Sequence, residues 1–301
     1  MNHEARPPSP ARQVAGVWER AGMLGVLALL AAACALLVPN FVSWVNLQGL
    51  LLAVSTVGLV ACTMLFCLAS GNFDLSVGSV VACAGVIAAV VMNAWHSVLL
   101  GVLAGVISGG VVGFLNGLVV AKARINPLIT TLATMQIVRG LGYIVADGKA
   151  VGIGRESFFV LGNASLAGLP VPVWLCLVAF LGFGLLLECT TFGRNTLAVG
   201  GNEEAAWLAG VDVAFVKIAI FTLQGLVAAF AGVVLASRMT SGQPMSSQGF
   251  ELEVISACVL GGVSLTGGVG SIGCVVAGVL IMGVVQNAMN LLNVPPFYQY
   301  V

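Results

Sequence analysis

Charged side chains are scarce in this sequence. Asp, Glu, Lys and Arg together make up 7% of its 301 residues, against about a quarter in soluble domains, which excludes a soluble globular fold. The formal net charge is zero, so nothing favours nucleic acid as a partner. Histidine is nearly absent: His3 sits in the polar N-terminal stretch and His96 near the expected end of a helix, and neither belongs to a metal-ligating cluster. The eight cysteines, at 34, 62, 67, 83, 176, 189, 258 and 274, make no CxxC pair and lie mostly in apolar runs. They read as small core-packing hydrophobes. No GxxxxGK(S/T) phosphate loop surrounds Lys122, Lys149 or Lys217, and there is no HExxH or GxSxG. No catalytic residue, metal site or cofactor is expected, and the chain is not expected to hydrolyse ATP by itself.

What is abundant is uninterrupted apolar sequence. Charge-free runs cover 21–73, 75–121, 157–187, 218–237 and 254–301. Crossing a bilayer takes about 20 apolar residues in a helix. A membrane β-barrel would alternate apolar and polar residues, and these runs do not. The expected fold is an all-α polytopic membrane protein. Residues 1–20 are polar and Pro-rich and read as a disordered tail, and 21–301 as a single transmembrane domain. Spans are expected near 21–38, 50–69, 75–94, 97–121, 125–145, 172–187, 215–237, 252–266 and 271–292, with Glu251 and Glu253 crowding the start of the eighth. The approach to "LLAAAC" (29–34), led by Arg6, Arg12 and Arg20, resembles a lipoprotein signal. A whole membrane domain follows, however, so 21–38 reads as an uncleaved first span.

Basic residues concentrate on the cytoplasmic side of membrane proteins. An N-terminus inside puts Arg6, Arg12, Arg20, Lys122, Arg124, Arg194 and Lys217 in the cytoplasm. Lys149, Arg155 and Arg238 are then outside, and Arg139 lies within a span. This makes 188–214 the main cytoplasmic loop and 146–171 the main external one. About nine spans leave the C-terminus outside, and the chain stops at "PPFYQYV" with no polar tail. Either ten helices are expected in the complete chain, the last one missing here, or one of the nine spans is miscounted.

Three polar stations interrupt the apolar pattern. Between Arg20 and Lys122 the only charged side chain is Asp74, in "SGNFDLSVGS" (70–79). A carboxylate at mid-span costs about 2.5–3.5 kcal/mol on the insertion scale. Gly71 and Gly78 would loosen the helix there, with Asn72, Asp74, Ser76 and Ser79 as polar groups. Two readings stand side by side: a broken helix lining a polar path, or a short interfacial loop with Asp74 capping the next helix. The second station is "TTLATMQIVRGLGYIVADGKAVGI" (130–153), where Gln136 and Arg139 are three apart and share a helical face. Arg139 needs a counter-charge, for which Asp74 is a candidate, or it snorkels to an interface.

The third is "TTFGRNTLAVGGNEEAAWLAGVDVAFVKIAIF" (190–221). After Gly200 and Gly201, Asn202 is the expected N-cap, and Glu203 and Glu204 fill the first turn. Ala205 and Ala206 propagate the helix and Gly210 ends it. A helix of about two turns results, either a plain linker or a docking peg for another subunit. Elsewhere the glycines of "GVLAGVISGGVVGFLNG" (101–117) favour close helix packing. "SGNFDLSVGSVVACAGVI" and "GGVSLTGGVGSIGCVVAGVL" share a weak internal similarity of the kind that transporter repeats with broken helices show.

At this point a family pattern is recognisable. "EAAWLAG" (204–210) is similar to the EAAxxxG signature of ABC-importer permeases, although the Leu-Pro that closes the fuller motif is absent. "SGNFDLSVGS" and "GGVSLTGGVGSIGCVVAGVLIMGVVQNAMNLLNV" (261–294) resemble the monosaccharide-importer permeases, the ribose, xylose, galactose and arabinose group. The resemblance covers essentially 21–301. "CLASGNFDLSV", "ITTLATMQIVRGL", "DGKAVGI", "TTFGRNTLAVGGNEEAA", "ASRMTSGQPM" and "QNAMNLLNV" look closest to its arabinose branch.

The resemblance implies a homodimeric permease in a bacterial inner membrane, embedded in lipid and with its N-terminus in the cytoplasm. Its implied partners are a periplasmic sugar-binding protein, a cytoplasmic ABC ATPase contacting 200–210, and a monosaccharide substrate, arabinose first. Asn72, Asp74, Ser76, Gln136 and Arg139 are assigned to the translocation pathway or its gate. Gly201, Asn202, Glu203, Glu204, Ala205, Ala206 and Gly210 are assigned to the ATPase-docking loop. Trp207 stands where the group commonly has Arg, which puts coupling in question. The rival readings are an ion-coupled secondary transporter using Asp74 and Arg139, and a membrane-embedded enzyme, which the shortage of intramembrane His, Asp and Glu disfavours.

Overall fold

The computed structural model describes residues 10–299. Of the expected N-terminal tail, residues 1–9 lie outside the described residues, and with them His3 and Arg6. In chain order the elements are α1 (Pro10–Leu37), α2 (Trp44–Ala69), α3 (Val77–Trp95), α4 (Val98–Ala121), α5 (Pro127–Val145), β1 (Val151–Gly152), α6 (Glu156–Asn163), β2 (Ser165–Leu166), β3 (Leu169–Pro170), α7 (Val171–Cys189), α8 (Thr191–Gly201), α9 (Glu203–Leu208), α10 (Val213–Arg238), β4 (Ser241–Gly242), α11 (Phe250–Leu260), α12 (Ile272–Leu291) and α13 (Pro296–Gln299). Among the described residues seven helices are long and apolar enough to cross a membrane: α2, α3, α4, α5, α7, α10 and α12. Gly22–Leu37 of α1 is a shorter apolar helix. The strands form two minimal antiparallel ladders, β1 with β4 and β2 with β3, so the class remains all-α.

Polar caps cut the apolar runs into helices. Ser43, Ser97, Thr190, Asp212 and Ser271 each accept from a backbone N–H three residues on, satisfying a donor that the first helical turn leaves free. Asn126 does the same for Leu128, with Pro127 opening α5. Thr190 also turns part of the expected cytoplasmic loop into helix α8. The expected eighth span, 252–266, is corrected: α11 ends at Leu260. Gly262, at φ +92°, takes the left-handed position of a helix C-terminus, and Val263 N–H closes it on Cys258 O at 3.0 Å.

α2, α3 and α10 carry much of the core, and α10 packs most extensively against α4. Gly101, Gly105, Gly109, Gly113 and Gly117 recur every fourth residue on α4, and all are buried against α3 or α10. A side chain at Gly113 would occupy the place of Phe221 O. Close backbone approach of this kind is what holds helices together where no hydrophobic effect separates protein from lipid. At the periphery, Asn46 and Asn287 exchange two hydrogen bonds of 2.9 and 2.8 Å, tying α2 to α12.

Two stretches of non-helical backbone run inside this bundle. The first is 70–76, between α2 and α3. The second is the segment after β4, up to α11. Gly242 lies against Gly85, Val86 and Ala89 of α3, and Ser247 O lies at Gly78. The second stretch therefore runs back along α3 for about 12 Å at 1.5 Å per residue, and α11 continues in the same direction.

Candidate functional site

The end of α2 follows from local sequence. Gly71 takes φ +73°; its N–H bonds Leu68 O at 2.9 Å and Asn72 N–H bonds Cys67 O at 2.9 Å. This pair of bonds closes a helix on a left-handed glycine. Asn72 then folds back, its amide donating to Ser70 O and Ser70 Oγ, each at 2.9 Å. The same closing pair ends α11 at Gly262 and Val263, so the two weakly similar sequence segments also share their local geometry.

Asp74 is buried beyond this turn. Its Oδ1 accepts from Ser76 N–H at 2.9 Å and from Ser76 Oγ at 2.6 Å. Ser76, not Asp74, is the N-cap residue of α3, so Asp74 organises the turn before the helix and does not cap it. The chain continues outward: Asn116 of α4 donates to Ser76 Oγ at 3.2 Å, and Thr134 of α5 donates to Asn116 Oδ1 at 2.7 Å. Every proton in this relay points toward the carboxylate. It joins α5, α4 and α3 to the break; Asp74, Ser76 and Asn116 are buried and Thr134 is half-buried, and each unmade bond among the buried groups would cost about 1–3 kcal/mol. Of the two readings of 70–79, the capping role given to Asp74 is corrected; the stretch 70–76 joins two separate helices, α2 and α3.

Arg139 does not meet Asp74, and that expected pairing is corrected. Its Nη1 donates to Ser246 O at 2.7 Å and Pro244 O at 3.2 Å, and its Nη2 to Ser247 O at 3.3 Å. Nor does it snorkel: it is half-buried and turned into the fold. The reason is physical. Non-helical backbone inside a helical bundle leaves carbonyls without helix partners, and the guanidinium fork reaches several of them at once. Gln136, three residues earlier, is exposed instead, so the shared face expected for the pair is split between the loop and the outside. Gly78 lies within α3, not in the break. Glu251 Oε2 and Ser247 O fill the space where its side chain would be.

Three polar residues went unrecognised in the sequence. Asn116 links α4 to the break. Glu251 carries a buried oxygen without a partner beside the first turn of α3. Gln224 of α10 is fully buried, with neither amide atom bonded. Asn116 and Gln224 are polar letters in apolar runs, and Glu251 is a carboxylate at the edge of one; that was the available signal.

At the end of the bundle that carries α9, an open cavity of about 1100 Å³ is lined by Gly71 and Asn72, by Arg124 and Asn126 of the α4–α5 turn, and by Glu203, Glu204, Trp207, Gly210 and Lys217. The expected short helix is there as α9. Asn202 Oδ1 accepts from Ala205 N–H at 2.9 Å, Glu203 and Glu204 open it, and Gly210 at φ +88° follows it. Ala206 is buried, whereas Gly201, Asn202, Ala205, Trp207 and Leu208 are exposed. Glu203 is held by Lys217 at 2.7 Å, which leaves Glu204 as the free carboxylate beside Trp207. The cavity brings Asn72 and the α9 residues to one place; Asp74 and Ser76 are buried behind it, and Gln136 and Arg139 lie elsewhere.

Comparison with known proteins follows the same pattern. A family model described as branched-chain amino acid transport system / permease component matches residues 46–301. The chain is 65% identical over 285 residues to the L-arabinose transport system permease protein AraH of Escherichia coli K12, covering 95% of this chain and 87% of that one. It is 56% identical over 295 residues to the L-arabinose ABC transporter permease protein AraH of Azospirillum brasilense, covering 97% and 87%. With the ribose import permease protein RbsC of Bacillus subtilis it shares 40% over 288 residues, covering 95% and 89%. No solved structure matches the chain at a significant level.

Proposed function

The chain belongs to the family described as branched-chain amino acid transport system / permease component, and from that membership we propose that it is the permease of an ATP-driven importer carrying L-arabinose across a bacterial inner membrane. The observation that carries the sugar is the 65% identity over 95% of the chain to a permease named for L-arabinose. The family description names amino acids, but these three relatives, matched over 87–89% of their own length, are named for sugars. As a permease component the chain is a transporter part, not an enzyme.

In this reading nine segments cross the bilayer: the seven long helices, Gly22–Leu37, and the composite of the segment after β4 with α11. Their exposed apolar residues, such as Leu29, Leu36, Ile137 and Leu181, face lipid or a second copy in a homodimer. The N-terminus and α9 are cytoplasmic. A periplasmic binding protein delivers sugar at the opposite end, near β1 and β4. An ABC ATPase docks on α9 through Glu204, Trp207 and Leu208. The break 70–76, with Asn72, Asp74 and Ser76, is the gate, and Gln136 and Arg139 flank the path. Trp207 is exposed and lines the cavity, so docking here uses an aromatic face beside a carboxylate.

Labelled L-arabinose uptake in cells lacking their own importer tests this. Uptake that needs both the ATPase and the binding protein, and survives an ionophore, is the expected result. Uptake without the ATPase, abolished by an ionophore, would establish the ion-coupled alternative. Transport of ribose, xylose or galactose in its place would correct the sugar. Glu204→Lys is expected to release the ATPase while the permease keeps its melting temperature; undiminished co-purification of the ATPase would sink the docking assignment.

A further inference from the structure

Three glycines join the α9 region to the end of α2 and to the loop after α11. Gly268 N–H, in the loop after α11, donates to Ala69 O, the last carbonyl of α2, at 2.8 Å. Gly200, in the last turn of α8, sits on the same spot: a Cβ there would take the place of Ala69 O and lie 2.7 Å from Gly268 N. A Cβ on Gly267 would come within 2.7 Å of Gly200 O and 2.9 Å of Gly71 N, and one on Gly268 within 2.9 Å of Gly201 Cα. Gly267 and Gly268 take φ +85° and +77°, values that side chains oppose. Three chain segments, 69–71, 200–201 and 267–268, thus meet backbone to backbone with no side chain between them.

The rest of α8 is fixed to the same place. Phe192 stacks on Phe66 of α2 with ring centroids 5.9 Å apart, and Thr196 and Val199 are buried. Only Asn202 separates α8 from α9, and its side chain caps α9. No flexible linker intervenes. Gly71 and Asn72 are also lining residues of the cavity beside α9. By contrast, the Glu203–Lys217 tie to α10 joins two long side chains, with the glutamate largely exposed, and such pairs hold geometry weakly.

We propose that Gly200, Gly267 and Gly268 form a stiff knuckle through which displacement of α9 is delivered to the break at 70–76. The proposal rests on the permease reading. Close-packed backbone has low compressibility and passes on a displacement that a layer of side chains would absorb by changing rotamer. The three glycines are positioning residues: they touch neither sugar nor nucleotide. Adding a methyl at Gly200 pushes the end of α8 off Ala69 and separates α9 from the break, while the exposed docking surface of α9 is unchanged. Gly273, in the first turn of α12, provides the control, since a Cβ there meets only Ser271 Oγ, at 3.9 Å.

The test uses the assembled importer, with its ATPase and binding protein, in lipid vesicles. Gly200→Ala is expected to keep ATPase co-purification and ATP hydrolysis but to lower sugar uptake by about tenfold or more; Gly273→Ala keeps uptake. Wild-type uptake in Gly200→Ala, or equal loss in both variants, overturns the knuckle. Should Gly200→Ala not assemble, spin-label distances decide. In a Cys189→Ser background, labels are placed on cysteines substituted at the exposed Ala209, Leu265 and Ile129. The 209–265 distance is expected to stay fixed between nucleotide-free and ATP-bound states while 209–129 changes. A changing 209–265 distance, or no change in either, overturns the proposal. Absence of uptake by the wild-type importer with both partners present tells instead against the permease reading.

Discussion

The two stretches of non-helical backbone inside the bundle solve one physical problem in different ways. The break at 70–76 is satisfied largely from within: Gly71 turns the chain, Asn72 folds back on Ser70, and Asp74 accepts from Ser76. The segment leading to α11 relies on another helix, with Arg139 of α5 holding the carbonyls of Pro244, Ser246 and Ser247. A self-contained turn survives movement of its surroundings. A segment clamped from outside keeps its shape only while α5 stays in place. The first is thus suited to move as a unit and the second to hold α5, α3 and α11 in register.

Substitutions separate the two cases. Arg139→Leu removes the clamp and is expected to have the largest effect. It leaves three partly buried carbonyls unbonded, at up to about 1–3 kcal/mol each, and should lower the melting temperature of the purified permease strongly. Arg139→Lys should restore part of the loss, because an ammonium lacks the planar fork. A melting temperature unchanged in Arg139→Leu would remove the distinction between the two segments. Asp74→Leu is expected to cost less stability, about 1–3 kcal/mol for its two bonds from Ser76, but to reduce uptake about tenfold or more. A loss of stability larger than that of Arg139→Leu would reverse the comparison.

Gln224→Met tests the one fully buried amide with no bonded atom among the described residues. Replacing it by an apolar group of similar shape should raise stability by about 1–2 kcal/mol, read as a higher melting temperature. A drop would mean that the amide has partners the fold supplies in another state. Glu203→Ala should have the smallest effect, under about 1 kcal/mol, because its ion pair with Lys217 is partly solvated. A large loss of stability there would make α10, and not the glycine contact, the main support of α9.

Much of this was legible in the letters. The scarcity of charge and the length of the apolar runs required a helical membrane protein. Asn202, Glu203, Glu204 and Gly210 spelled out α9 with its cap, first turn and end. The polar letters of "SGNFDLSVGS" marked a break. These features depend on neighbours a few residues away, so sequence contains their causes. The partner of Arg139 was not legible, because carbonyls carry no side-chain identity: Pro244, Ser246 and Ser247 offer their oxygens from a loop over 100 residues away. The early end of α11 was missed because a glycine-rich apolar run reads the same whether helical or looped.

The sequence alone determined the solvent this chain lives in, the helical class, and the places where a helix must stop, because transfer energetics and capping act locally. Only the tertiary structure decided what meets across those stops: Thr134, Asn116 and Ser76 aligned on Asp74, Arg139 on a distant loop, and Gly200 and Gly268 on the end of α2. Those meetings depend on how helices cross. The crossings are set by the backbone surfaces that small residues expose, and a glycine in a sequence does not say which surface it will touch.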